Sequence, residues 1–203
     1  SLPASATYIQ TIDDFESGSI GSMWSISGNA ADVDLFNAIE VKQWGGTDVL
    51  YTSPEGIWMA VLNGGNLTTS FQTHFQAYSG AVLQVSWLGE FLDGELPAPN
   101  NGVTAVHNDT VGFRLNGNEF ILADAIVTTL GVGLDNTRWQ ELSYALPTGN
   151  ITLDFWARNA DDLFNDPRLA IDNIRVTYPD IPPELQGGGG TGGGGVIPSI
   201  PEP

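Results

Sequence analysis

The sequence contains no cysteine among its 203 residues. No disulfide braces this fold, and cysteine usage leaves the cellular compartment open. Basic residues are almost as scarce: six Lys and Arg stand against 24 Asp and Glu, Lys42 is the only lysine, and the formal net charge is −18. So acidic a chain repels a phosphate backbone, which argues against nucleic acid as a partner. No run of about 18 or more apolar residues occurs, so nothing in the sequence reads as a membrane-spanning helix. A basic segment followed by an apolar one is also missing from the start, which runs SLPASATYIQ from Ser1. The expectation is an exported, soluble product whose signal peptide has been removed. The acidic field opposes self-association unless divalent cations screen or bridge it, which brings calcium into consideration. The simpler alternative is that the acidity only maintains solubility and needs no ligand.

What the chain does have is period-two hydrophobicity, in segments separated by Gly, Asn, Asp and Pro. Leu67, Phe71 and Phe75 share one face of LTTSFQTHF while Ser70, Gln72 and His74 share the other. Leu83, Val85 and Trp87 fall together in AVLQVSWLGEF, and Val111, Phe113 and Leu115 lie opposite Arg114 in VGFRL. Leu142, Tyr144 and Leu146, then Ile151, Leu153 and Phe155, continue the pattern. With the segments around Trp58 to Leu62, Glu119 to Leu122 and Leu169 to Tyr178, about ten strands and no long helix are expected. The economical fold is all-β, an antiparallel β-sandwich and specifically a jelly roll. It spans residues 1–180 and is followed by a Gly/Pro-rich tail over residues 181–203, which ends in Pro201, Glu202 and Pro203.

The tail, ELQGGGGTGGGGVIPSIPEP, resembles the sorting region of PEP-CTERM proteins. In these exported bacterial proteins a Pro-Glu-Pro signature precedes a membrane helix and a basic cluster, and an exosortase handles the segment. Neither helix nor basic cluster follows here, so the resemblance implies a chain processed near Pro203; truncation by hand would leave the same end. The order DDFES, SPEGIWMAVLNGG, AVLQVSWLGEF, VGFRLNGNEFILAD, RWQELSYALPTGNITLDFWARN and LAIDNIRV is similar to the jelly-roll domain common in these proteins. It is more distantly similar to carbohydrate-binding modules. The resemblance covers roughly Ile12 to Val176 and carries many functions.

Alternation places Asp172 beside Ile174 and Val176, so a carboxylate in an apolar row needs a cation or hydrogen-bond donors. Asp14 and Glu16 share a face by the same period. Related carbohydrate-binding jelly rolls hold a structural calcium with motifs like DFE and IDN. The resemblance therefore nominates Glu16 and Asp172, with Asp14 as a further ligand, and backbone carbonyls completing calcium's six to eight oxygens. The alternative for Asp172 is hydrogen bonding to backbone amides with no metal. Asp161, Asp162, Asn165 and Asp166 in NADDLFNDPR read as a loop satisfying its own turns, since they lack the EF-hand pattern.

Catalytic signatures are missing. Glu90, Asp93 and Glu95 approach a carboxylate pair, but the odd step from Glu90 to Asp93 points them to opposite faces. His74 reads as a solvated residue on a polar face, and His107 has no Ser or Cys motif to activate. The enzyme expectation is negative. For glycans, Trp156 on the polar side of ITLDFWA and Trp44 in QWGGTD are the candidate stacking platforms. Trp87 follows the core pattern, Trp24 and Trp58 read as buried, and Trp139 as a strand-start staple. The glycine run is a flexible linker, and VIPSIPEP is too poor in apolar residues to fold alone. Val196, Ile197 and Ile200 would anchor the tail on a groove or sheet edge of another copy, giving a homo-oligomer or filament. The leading expectation is a non-enzymatic surface, matrix or fibre subunit; the alternative is a glycan-binding module that retains the protein in exopolysaccharide.

Overall fold

The computed structural model describes residues 7–28, 33–41, 49–64, 68–90, 109–124, 138–159 and 167–186. Its strands are β1 (Tyr8–Asp13), β2 (Ser25–Ser27), β3 (Val33–Phe36), β4 (Ala38–Val41), β5 (Val49–Thr52), β6 (Met59–Asn63) and β7 (Thr68–Ala77). They continue with β8 (Val82–Glu90), β9 (Thr110–Leu115), β10 (Asn118–Asp124), β11 (Gln140–Ala145), β12 (Gly149–Arg158) and β13 (Arg168–Tyr178); a one-turn helix, α1 (Pro183–Gln186), follows. Two antiparallel sheets form the sandwich. The first runs β11-β8-β13-β6-β3 with β1 also on β13; the second runs β10-β9-β12-β7-β2. The all-β jelly-roll expectation holds. Among the described residues no helix is long and apolar enough to cross a membrane.

The core lies between the sheets because alternate residues of each strand turn inward. Leu83, Val85, Leu169, Ile171, Ile174 and Val176 of the first sheet meet Phe71, Phe113, Leu115, Leu153 and Phe155 of the second. Burial of each such side chain contributes about 1.5–3 kcal/mol. Trp24 stacks on Phe71 with ring centroids 4.0 Å apart, and Phe15 packs against both.

Strand β6 is buried on both faces. Ala60 and Leu62 point to the main core, whereas Met59 and Val61 point outward and pack with Ile39, Leu88 and Ala170. The β4–β5 hairpin supplies this second cover, with Tyr51 and Trp139 packed at its margin and Trp139 Nε1–H donating to Thr52 O at 2.9 Å. Trp139 therefore fastens the hairpin as well as standing at a strand start.

Strand β13 departs from simple alternation. Its register against β8 shifts between Asp172 and Arg175, where Asn173 adopts φ 50°. The extra residue is a bulge, and it moves Asp172 off the row of Ile174 and Val176. Asp172 instead lies opposite Ser86, on the outer face with Ala170, so the expected apolar row does not contain it. Strands β1 and β6 share one edge of β13 end to end, and Asp172 sits at their junction.

The β9–β10 hairpin turns through Asn116 (φ 50°) and Gly117 (φ 84°). Both positive values suit an Asn-Gly two-residue turn, whose twist matches that of the strands. The turn sets Leu115 opposite Asn118 and Arg114 opposite Glu119.

Candidate functional site

Two corners of the molecule concentrate chemistry. The first is where DDFES meets β13. Strand β1 ends at Asp13, so the two-residue period expected for Asp14 and Glu16 does not continue past it. Asp13 accepts Phe15 N–H at 2.8 Å and Trp24 Nε1–H at 2.6 Å. Phe15 then turns into the core at φ 57°. Asp14 accepts Glu16 N–H at 3.2 Å, a local turn bond. Glu16 reaches across to the loop of residues 53–58, where its Oε1 accepts the N–H groups of Ile57 (2.7 Å) and Trp58 (2.9 Å).

Asp172 grips the same loop from below. Its Oδ2 accepts Ser53 Oγ–H at 2.6 Å, its Oδ1 accepts Asn173 N–H at 2.6 Å, and Glu55 N–H adds a third bond. The side chain is fully buried, and that burial pushes its pKa up to about 6; the three donors pull it down and the nearby Glu16 charge raises it. Glu16 and Asp172 thus converge on one loop. Their oxygens accept from backbone N–H groups and from the Ser53 hydroxyl. Among the described residues no group of three or more acidic or histidine side chains could hold a metal. These hydrogen bonds clasp the loop of residues 53–58 between Glu16 and Asp172.

The second corner is the outer face of the five-stranded sheet. On β12 the outward residues are Thr152, Asp154, Trp156 and Arg158; on β7 their partners are His74, Gln72, Ser70 and Thr68. On β9, Arg114 pairs with Asp154, and Gly112 with Trp156. His74 Nδ1 is 3.0 Å from Thr152 Oγ1, and Ser70 Oγ–H donates to Asp154 Oδ1. Asp154 Oδ2 in turn accepts Arg114 Nη1–H at 2.8 Å.

Trp156 lies on the polar side, as alternation predicts, but it is 0% exposed. The guanidinium of Arg158 lies 4.5 Å from the ring centroid and that of Arg114 lies 5.5 Å from it, so two cations cover the indole. The open stacking platform expected of Trp156 is therefore absent. The indole rests on Gly112, where a Cβ would collide with Trp156 Cζ2 and with the Phe120 carbonyl oxygen. Gly112→Ala is expected to displace the indole or the β9–β10 ladder and to cost about 1–3 kcal/mol in denaturant unfolding. An unchanged midpoint would show that the strand yields freely.

Glu119 of β10 closes the arrangement. Its carboxylate meets Arg114 (Nη2 3.0 Å, Nε 3.1 Å) and Arg158 (Nη2 3.0 and 3.2 Å). Burial tends to raise its pKa, but the bonds to Arg158 and Arg114 outweigh this and hold it below the usual carboxylate range. The sequence pattern alone marks neither Arg114 and Arg158 nor Asp154 and Glu119 as a site. The available signal was that two of only six basic residues occupy outward positions of strands flanking a tryptophan.

Glu90 is fully buried and ion-paired with Arg168, opposite it in register, which removes it from any exposed carboxylate pair. Trp44, Asp93, Glu95, His107, Asp161, Asp162, Asn165 and Asp166 lie outside the described residues. So do Val196, Ile197 and Ile200 and with them the assembly expectation.

No protein-family model matches this chain. No curated protein matches it either. Solved structures resemble it in shape. A carbohydrate-binding module in complex with β-1,4-galactotriose has a TM-score of 0.44 at 16% identity, covering 80% of this chain and 92% of that one. The K1 cleaved adhesin domain of Lys-gingipain from Porphyromonas gingivalis W83 scores 0.45 at 14% identity, covering 86% and 99%. A xylan-binding domain from Paenibacillus barcinonensis Xyn10C scores 0.41 at 12%, covering 89% and 99%. At these values the likeness is one of sandwich architecture and assigns no ligand.

Proposed function

We propose that this chain is a non-catalytic glycan-binding module whose binding surface is the outer face of the five-stranded sheet. The observation that supports the reading is the row of hydrogen-bonding side chains on that face. Gln72, His74, Thr152 and Arg114 come from three paired strands, and beneath them the buried Ser70 and Asp154 hold Arg114 in place. Saccharide hydroxyls are both donors and acceptors, and they suit a surface that offers amide, imidazole, hydroxyl, carboxylate and guanidinium groups at fixed spacing. A rigid strand scaffold avoids much of the ordering cost of binding.

The carboxylates of this face, Glu119 and Asp154, are both held by arginine. That arrangement favours recognition, since the carboxylates orient the guanidinium groups that face outward. The proposal carries with it an exported protein retained among polysaccharides.

The test is titration calorimetry against a panel of soluble neutral and acidic polysaccharides. The double variant Gln72→Ala/His74→Ala removes two outward side chains of β7, and it is expected to weaken whichever ligand binds by about tenfold or more. Arg175→Ala on the first sheet, where the side chain meets Gln84 at 3.0 Å, serves as the control and should leave binding unchanged. Binding that survives the β7 variant intact would place the ligand elsewhere. Absence of binding across the panel would end the reading.

A further inference from the structure

The arginine pair carries a more specific consequence, which rests on the glycan-binding reading. Arg114 from β9 and Arg158 from β12 converge on one carboxylate, Glu119, from β10. Only six basic residues exist in a chain of net charge −18. Committing two of them to one surface acid adds little stability, because an exposed ion pair is nearly offset by side-chain ordering and solvent screening. The Glu119 side chain is 35% exposed and that of Arg158 37%, so the bridge can open without disturbing the core. Beneath it the Trp156 Nε1–H is buried with no acceptor, an unsatisfied donor directly under the guanidinium lid.

We propose that Arg114 and Arg158 form a carboxylate-binding subsite that Glu119 occupies in the resting protein, and that its ligand is the uronate group of an acidic polysaccharide. A guanidinium presents its N–H donors in a planar fork that matches a carboxylate, and two forks over one indole define a position as well as a charge. Glu119 shows that a carboxylate fits there, with three of its contacts at 3.0–3.1 Å. Exchange preserves the local balance, since a uronate takes the place of Glu119 between the arginines while Asp154 keeps its bond to Arg114. Glu119 swings into water from the edge strand of the sheet. The chain's overall negative charge is screened beyond about 8 Å at physiological ionic strength. Selection therefore operates at contact, through the two forks, against a long-range repulsion that salt weakens.

The experiment compares polygalacturonate with its fully methyl-esterified form, which has the same backbone without the charge. The readout is the ratio of their affinities by calorimetry. Wild type is expected to favour the free acid. Glu119→Gln releases the forks and should raise that ratio by about threefold, the scale of an exposed ion pair. Arg158→Ala should bring the ratio to about one, and Arg158→Lys, which keeps the charge without the fork, should give an intermediate value. Thermal melts confirm that each variant is folded.

Equal affinity for both forms, unmoved by Glu119→Gln, overturns the uronate subsite while leaving the glycan-binding reading in place. A fall in the ratio on Glu119→Gln also overturns it, by making Glu119 a ligand contact instead of an occupant. Failure of every polysaccharide to bind removes both proposals.

Discussion

Arg168→Ala is expected to destabilise the domain by about 3–5 kcal/mol, the cost of taking the cation away from a buried ion pair. Its partner Glu90 is 0% exposed at the end of β8, and the two residues face each other in the β8–β13 ladder. Arg168 Nη2–H also donates to the Glu40 carbonyl at 3.0 Å, which ties the β4–β5 hairpin to the first sheet. Alanine removes both ties and leaves a carboxylate in the interior without its guanidinium. Total stability of ordinary domains is about 5–15 kcal/mol, so a loss on this scale is a large fraction of it. Urea unfolding should show the midpoint falling with little change in slope. The double variant Glu90→Gln/Arg168→Met should recover most of the loss, because a buried ion pair contributes little beyond its own desolvation cost. A loss below about 1 kcal/mol in Arg168→Ala would mean that other groups stabilise the Glu90 charge.

The second large effect is one of pH. Asp172 has a folded pKa of about 6, raised by burial above its ordinary 3.8. The native state therefore holds this proton more tightly than the unfolded chain does. Its contribution to stability is full below the unfolded value and is lost as pH rises through about 6. At about 1.4 kcal/mol per unit, the neutral form at pH 4 is worth on the order of 2–3 kcal/mol relative to pH 7. The neighbouring charges are Glu16 and Glu55 on one side, with Arg175 at 4.0 Å from Glu55. On the other side is Glu141, which accepts Ser86 Oγ–H at 2.6 Å. Comparing wild type with Asp172→Asn at pH 4.5 and 7 isolates the one group, since every other carboxylate is common to both. Wild type should gain about 2 kcal/mol more on acidification than the variant does. Parallel pH dependences would show that Asp172 titrates normally.

The architecture was legible wherever one face of a strand meets the core and the other meets water. Phe71 and Phe75, Leu83, Val85 and Trp87, and Ile151, Leu153 and Phe155 all point inward as their period requires. Period two fails where a residue is inserted. The bulge at Asn173 moved Asp172 to the opposite face, and the left-handed Phe15 ended the alternation of Asp14 and Glu16. Neither departure from the period leaves a local mark that distinguishes it from strand. The site was half legible for a related reason. Trp156 could be assigned its face from β12 alone, but its cover comes from Arg114 on another strand and from the way Glu119 holds Arg158. That arrangement exists only once β9 pairs with β12 and the Asn116–Gly117 turn sets β10 in register. The outward burial of Met59 and Val61 likewise depends on a hairpin distant in the chain.

The end-to-end sharing of β13 also decides how the domain responds to tension. Tyr8 pairs with Tyr178, so among the described residues the first and last strands begin and end at the same corner of the sheet. A force applied through both ends pulls on the outermost rung of that antiparallel ladder and peels β1 away one pair at a time, from Tyr8 toward Asp13. Peeled in this way, the rungs resist singly instead of together in shear. A domain tethered by both ends would yield first at β1, and a domain tethered by one end would hang with its whole sandwich outside the path of the load.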